Sequence, residues 1–237
     1  MPEQVLKNVG IWIDGRNMAG VSNSVGLTPK ADAPQSTSFE GGWRTRAEGG
    51  LKTVALSLEG WYDRGDIDAA QFESIGNDGS IMIAPAGQSA GRVAFIVPYI
   101  AAAFEPGASV GELMAFTFAS EGDSAPVRAE VFAINDNVTA DTETSRLDLG
   151  AVSATQTLRV WIHATRVSAT GTMDVTLVSH TARTGGTSTD RGTADIADTG
   201  VYVIEADGAI TDEFWSIEYE PTSAEYDIAA ASQFAAK

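Results

Sequence analysis

The sequence predicts an all-β protein with one short helix, built as two β domains in tandem. Three features predict it. Apolar residues alternate with polar ones in segment after segment, helical spacing is persuasive once, and a polar stretch separates two sets of strands. The alternation is plainest in Thr-Val-Ala-Leu-Ser-Leu at 53–58, where Val54, Leu56 and Leu58 share one face and Thr53, Ala55 and Ser57 the other. Similar strands are expected at 9–13, 80–83, 92–97, 113–120 and 127–134. The helix is expected at 66–75, with Asp66 as its cap and Ile67, Ala70, Gln71 and Ile75 at helical spacing. It is short enough to plug or flank a sheet.

Residues 135–144 (Asn-Asp-Asn-Val-Thr-Ala-Asp-Thr-Glu-Thr) are polar and contain no aromatic residue, the composition of a linker. This places the domains at 1–137 and 146–237, with 138–145 between them. In the second set, 157–166 and 172–180 flank Ser-Ala-Thr-Gly at 168–171 and read as a hairpin. Pairing Arg166 with Met173 sets Ile162 opposite Leu177 and makes one face continuously apolar. A Gly/Ser/Thr-rich loop is expected at 184–193. Strands at 201–205, 213–219 and 226–230 then complete a β-sandwich, with Trp215, Ile217 and Tyr219 on one face.

The chain has 237 residues, 43% of them hydrophobic and 20% charged, which excludes a disordered polymer. No apolar run reaches the roughly 20 residues of a membrane-spanning helix, and the longest, 93–104, is broken by Pro98. The N-terminus has no apolar signal region, so no signal peptide is expected. Without cysteine there are no disulfides and no thiolate metal sites. The net charge is −17, and a division after Ala140 gives −8 and −9, so the acidity is general. Such a surface repels phosphate and suits a wall to which nucleic acid must not stick.

Sites of chemistry are scarce. In the expected hairpin His163 and His180 lie about four residues, roughly 13 Å, apart on one face, too far for a shared metal, and both read as outward-facing polar residues. The carboxylate groups Asp212/Glu213, Asp63/Asp66/Asp68 and Glu218/Glu220 have no supporting pattern for glycoside hydrolysis and read as solvated rims. The run from Asp63 to Asp68 lacks the glycine and bidentate glutamate of a calcium loop. Gly107 to Gly111 has no phosphate-binding lysine. No serine sits in a nucleophile elbow, and the Asn137 sequon means little without a secretory signal. The expectation is a protein that is not an enzyme and carries no cofactor and no metal.

Trp12, Trp161 and Trp215 lie in alternating segments, where packing is the simplest reading; a carbohydrate cleft is the other. Trp43 differs. It sits in Phe-Glu-Gly-Gly-Trp-Arg-Thr-Arg at 39–46, within an irregular stretch from about 28 to 50. Phe39, Trp43, Arg44 and Arg46 together have the composition of a partner-binding loop.

A longer series follows from that stretch: Val9-Gly-Ile-Trp-Ile-Asp14, Val21 to Leu27, Asp32-Ala33, Ser38-Phe39, Trp43-Arg44-Thr45-Arg46, Gly49-Gly-Leu-Lys52 and Gly60-Trp-Tyr-Asp63. This series resembles the N-terminal domain of tail tube (major tail) proteins of long-tailed bacteriophages, with Ser36-Thr-Ser-Phe39 in place of the family's Ala–Thr–Phe-like stretch. The helix at 66–75 and Gly107-Ala-Ser-Val-Gly-Glu-Leu113 fit related virion proteins of actinobacterial phages. Their second β domain resembles 147–237, including Gly208-Ala-Ile-Thr-Asp-Glu-Phe-Trp215. The resemblance implies an N-terminal tail-tube-like β-sandwich or barrel domain and an outer, decorating β-sandwich. It implies rings, usually of six, whose strands close an inner barrel. The rings stack into a tube in the virion tail, with an acidic lumen that DNA crosses without specific binding. The expected partners are further copies of the chain and other tail proteins, with no membrane insertion and with synthesis in the host bacterial cytoplasm. The long loop would reach a neighbouring subunit or ring. Two other readings stay open: a capsid decoration or head-spike protein, and a carbohydrate-binding β-sandwich that uses Trp161 or Trp215.

Overall fold

The structure, a computed structural model, describes residues 8–31, 52–62, 68–122, 124–168 and 171–237. Its elements in chain order are β1 (Gly10–Ile13), β2 (Arg16–Asn17), β3 (Ser22–Ala31), β4 (Lys52–Trp61), α1 (Asp68–Glu73), β5 (Asp78–Ala84), β6 (Val93–Gly107), β7 (Ala115–Gly122) and β8 (Val127–Val138). They continue with β9 (Thr142–Glu143), β10 (Leu147–Asp148), β11 (Gln156–Val167), β12 (Met173–His180), β13 (Ser188–Ile196), β14 (Gly200–Asp207), β15 (Phe214–Pro221) and β16 (Tyr226–Ala236). Among the described residues the chain is all-β with one short helix, as the alternation predicts.

The chain forms two compact units. One comprises Met1–Ala19, Ser80–Ile96 and Val127–Lys237; the other comprises Gly20–Gly79 and Val97–Pro126. The boundary expected at 138–145 therefore does not divide them: residues on both sides of it belong to the first unit. The reason lies in pairing. Val131, Ile134 and Asn135 of β8 pair with Ala231, Ala229 and Ile228 of β16. Thr142 and Glu143 pair with Tyr219 and Glu218 of β15. Polarity at 135–144 marks strand ends that face water, and the backbone there is used.

In the first unit one sheet runs β14-β11-β16-β8-β6-β5-β1-β2, where β6 pairs with β8 over Val93–Ile96. A second sheet runs β10-β15-β12-β13, with β9 also on β15. Leu158, Val160 and Ile162 of β11 join Val175, Leu177, Trp215 and Ile217 in one apolar cluster. Trp161, on the opposite face of β11, joins a second cluster with Trp12, Met82, Ala94 and Ile96. Strand β11 is thus covered on both faces. The expected hairpin of 157–166 with 172–180 does not form: β11 pairs with β14 and β16, and β12 with β13 and β15. The expected loop at 184–193 becomes strand from Ser188 onward.

In the second unit, β3, β4, β7 and the part of β6 from Val97 form a four-stranded antiparallel sheet in that order. Strand β3 continues through Ala31, beyond the expected start of an irregular stretch at 28. The described helix ends at Glu73, before the expected 75; Gln71 is buried, and Ile75 lies beyond it, half exposed, bridging to Ala101. The cap expected of Asp66 lies outside the described residues.

Candidate functional site

The sheet of the second unit has one dry and one wet face. Along β4, Val54, Leu56 and Leu58 are buried while Thr53, Ala55, Ser57, Glu59 and Trp61 are exposed. Register carries the division across the sheet. Glu59 stands beside Thr117 of β7, and Thr117 beside Glu105 of β6; Ala55 stands beside Glu121, and Glu121 beside Ile100. On β3 the same face holds Ser24, Gly26, Thr28 and Lys30. Small and hydroxyl side chains therefore surround Glu59, Glu105 and Glu121 on an open surface. Opposite them Phe116, Phe118, Tyr99 and Leu58 form the dry side, with Tyr99 edge-on to Phe118 at 5.6 Å between ring centroids.

Among the described residues, both margins of this sheet have stretches that pair on one side only. Among the described strands β3 pairs only with β4, and β6 from Ala103 to Gly107 pairs only with β7. Near Ala101 the margin is closed from outside: the Gly76 N–H donates to the Ala101 carbonyl at 2.8 Å, and the Ala101 N–H to the Asn77 carbonyl at 3.2 Å. A ten-residue strand that pairs on one edge only among the described strands is a template for another strand.

The loop residues singled out by composition, Phe39, Trp43, Arg44 and Arg46, lie outside the described residues. Of the tryptophans described, Trp12, Trp161 and Trp215 are buried and Trp61 is half exposed. Burial removes Trp161 and Trp215 as platforms for a sugar, which corrects the carbohydrate reading.

Both histidines are also buried, contrary to the outward-facing reading. His163 sits between Val201 of β14 and Ala229 of β16, and neither ring nitrogen has a hydrogen-bond partner. Burial alone pushes its pKa down to about 3. His180 Nε2 lies 2.7 Å from Ser216 Oγ and 3.3 Å from Glu143 Oε1. Burial and the Arg146 charge lower its pKa, against the pull of Glu143 and Asp212. Serine and carboxylate meet the same ring nitrogen and Ser216 is fully buried, so this group is no nucleophile–base relay.

Next to it, Asp212 accepts from Ser179 Oγ at 2.6 Å and from Arg191 Nη2 at 3.0 Å. The Ser179 hydrogen bond, outweighing burial, holds the Asp212 carboxyl below its usual range, with help from Arg191. Asp212 was expected on a solvated rim; it is a buried fastener between β12, β13 and the approach to β15. Nothing in the local sequence marks it, because its partners come from strands 21 and 33 residues away. Among the described residues no group of three His, Cys, Asp or Glu is placed to hold a metal ion.

No protein-family model matches the chain, and no curated protein matches it. Solved structures do. A chain from the virion of a native gene transfer agent particle is similar over 53% of this chain and 98% of its own length, at 18% identity and a TM-score of 0.44. A chain from the tail of the empty gene transfer agent particle, refined with C6 symmetry, gives the same values. The SPP1 Dit protein, described as a paradigm of the hub adsorption apparatus in phages that infect Gram-positive bacteria, is similar over 97% of this chain and all of its own, at 9% identity and a TM-score of 0.39. Among the described residues no helix is long and apolar enough to cross a membrane.

Proposed function

We propose that this chain is a structural, non-enzymatic subunit of a phage-type tail, which associates with copies of itself into rings that stack as a tube. The observation that carries the reading is the four-stranded sheet with a wet, acidic face and open margins. Edge pairing between copies would use backbone groups otherwise left to water, and closing the ring would remove the edges. The face bearing Glu59, Glu105 and Glu121 would then line the lumen, where carboxylates among small side chains repel a passing polyphosphate. DNA crosses such a lumen without specific binding. Other tail proteins would cap the tube, the protein would be made in the host bacterial cytoplasm, and its place would be the virion.

The segment with Phe39, Trp43, Arg44 and Arg46 is proposed as an assembly element, on composition alone. Changing Trp43, Arg44 and Arg46 together to alanine is expected to leave the circular dichroism spectrum native and to abolish tubes. Unchanged polymer length in light scattering would remove this segment from assembly.

Negative-stain microscopy of the purified chain tests the main reading. Rings, here expected with six-fold averages, and tubes are the expected result. Discrete trimers would favour a capsid decoration or head-spike protein, and a monomer at every concentration would overturn self-assembly. Glu59→Gln, Glu105→Gln and Glu121→Gln together should leave tubes intact but make them retain added DNA. Tubes that exclude DNA as well as the parent protein does would place these carboxylates away from the lumen.

A further inference from the structure

The sheet of the second unit has chemically different ends. At one end β6 turns into β7 through a tight turn, closed by the Glu112 N–H donating to the Ser109 carbonyl at 3.0 Å. Gly111 stands at the third position of that turn with φ of 93°, a conformation that favours glycine. The turn holds Val110 outward with its side chain wholly exposed (107%), beside Leu113 at 75% and Met114 at 40%. Trp61, at the same end of β4, is 49% exposed. The Tyr62 N–H donates to the Met114 carbonyl at 2.9 Å, which ties the end of β4 to the turn. An ordered turn that holds a group of large apolar side chains out in water marks a contact. Glu112 lies in the turn itself, and among the described residues no cation stands at this end.

At the other end, about 30 Å away along the ten residues of β4, the pairs Lys30–Thr53 and Ala31–Lys52 close the sheet. Lys30 and Lys52 are exposed, and they are the only cations among the described residues of this unit. Neither lysine, nor Glu112, forms an ion pair with another described residue.

We infer that the β6–β7 turn of one copy docks onto the Lys30/Lys52 end of the sheet in a second copy, so that copies join head to tail along the strand direction. The inference rests on the proposed tube and assigns its stacking contact. Charge selects the partner. A chain of net charge −17 repels most of its own surface, and an acidic tip finds its complement at the end that holds the described cations of this unit, Lys30 and Lys52. Geometry sets the outcome: two different patches at opposite ends give a heterologous contact, which propagates as a filament. The apolar tip alone falls short of the roughly 800 Å² per partner of a stable pair, so stacking would need several tips engaged at once, as between two rings.

The test uses the full chain and sedimentation velocity, with negative-stain images of the same samples. Val110→Ser with Leu113→Ser, Glu112→Lys, and Lys30→Glu with Lys52→Glu are each expected to raise the concentration at which tubes form about tenfold or more, leaving single rings. The side chains are exposed, so native circular dichroism is expected throughout. Glu112→Lys combined with Lys30→Glu and Lys52→Glu should restore tubes to within about threefold of the parent. Variants that form tubes at the parent concentration would overturn the inference and leave the proposed function standing. Tip variants that fail while the lysine variants stack normally would also overturn it, since the tip would then have another partner. Loss of rings together with tubes would place the contact within a ring and overturn it too. A parent protein that never assembles would overturn the proposed function and this inference with it.

Discussion

Replacing His163 with leucine is expected to make the protein resist acid. The imidazole is fully buried with two unpartnered nitrogens, and burial sets its folded pKa at about 3 against about 6.5 when unfolded. Between those values the unfolded chain binds a proton that the folded chain does not, so stability rises with pH across the window and is lost as pH falls from 6.5. The loss from this one group reaches about 3 kcal/mol at pH 4 and about 4 kcal/mol at pH 3. Leucine removes the titration and both orphaned polar atoms, each of which costs about 1–3 kcal/mol when buried unpaired. At pH 7 the variant should therefore be as stable as the parent or more so. Urea unfolding at pH 7 and pH 4 checks it, followed by the fluorescence of Trp12 and Trp161, which share the cluster on that side of β11. Parallel losses of stability in parent and variant would show that some other group carries the acid sensitivity.

The same histidine shows how far alternation could be read. Strict alternation puts His163 on the face of β11 opposite Ile162, which the structure bears out. What alternation leaves out is that Trp12 and its neighbours cover that second face. A strand reads clearly when one side meets water, as β4 does, and loses its pattern when both sides are dry, as in Ile228-Ala-Ala-Ala231 of β16. The hairpin expected around 168–171 failed for a related reason. Two alternating strands and a turn specify either a hairpin within one sheet or a crossing between two sheets, and local sequence does not distinguish them. The candidate surface was legible in part. The exposed face of 53–58 follows from the sequence, whereas Glu105 and Glu121 join Glu59 only through the register of β6, β7 and β4. The cluster of Ser179, Arg191 and Asp212 was not legible at all, since three separate strand regions supply it.

Trp215→Ala is expected to unfasten the stretch that sequence alone presents as a linker. The indole is fully buried, and its Nε1–H donates to the Gly150 carbonyl at 2.9 Å. Around it β15 holds the whole 142–150 stretch. Thr144 exchanges hydrogen bonds with Ile217, Leu147 pairs with Trp215 itself, and the Leu149 and Gly150 N–H groups donate to the Glu213 carbonyl. Truncation leaves a cavity in the cluster that also contains Leu177 and Ile217, at a cost of about 3–5 kcal/mol. Trp215→Phe keeps most of the volume and removes the donor, so about 1 kcal/mol of its loss reports the hydrogen bond. Limited proteolysis supplies the second readout. In the parent, cleavage within 139–150 should be slow because the backbone there is paired, and in Trp215→Ala it should become the first cut. Rapid cleavage of the folded parent at 135–144 would return this stretch to a linker and detach β9 and β10 from the sheet.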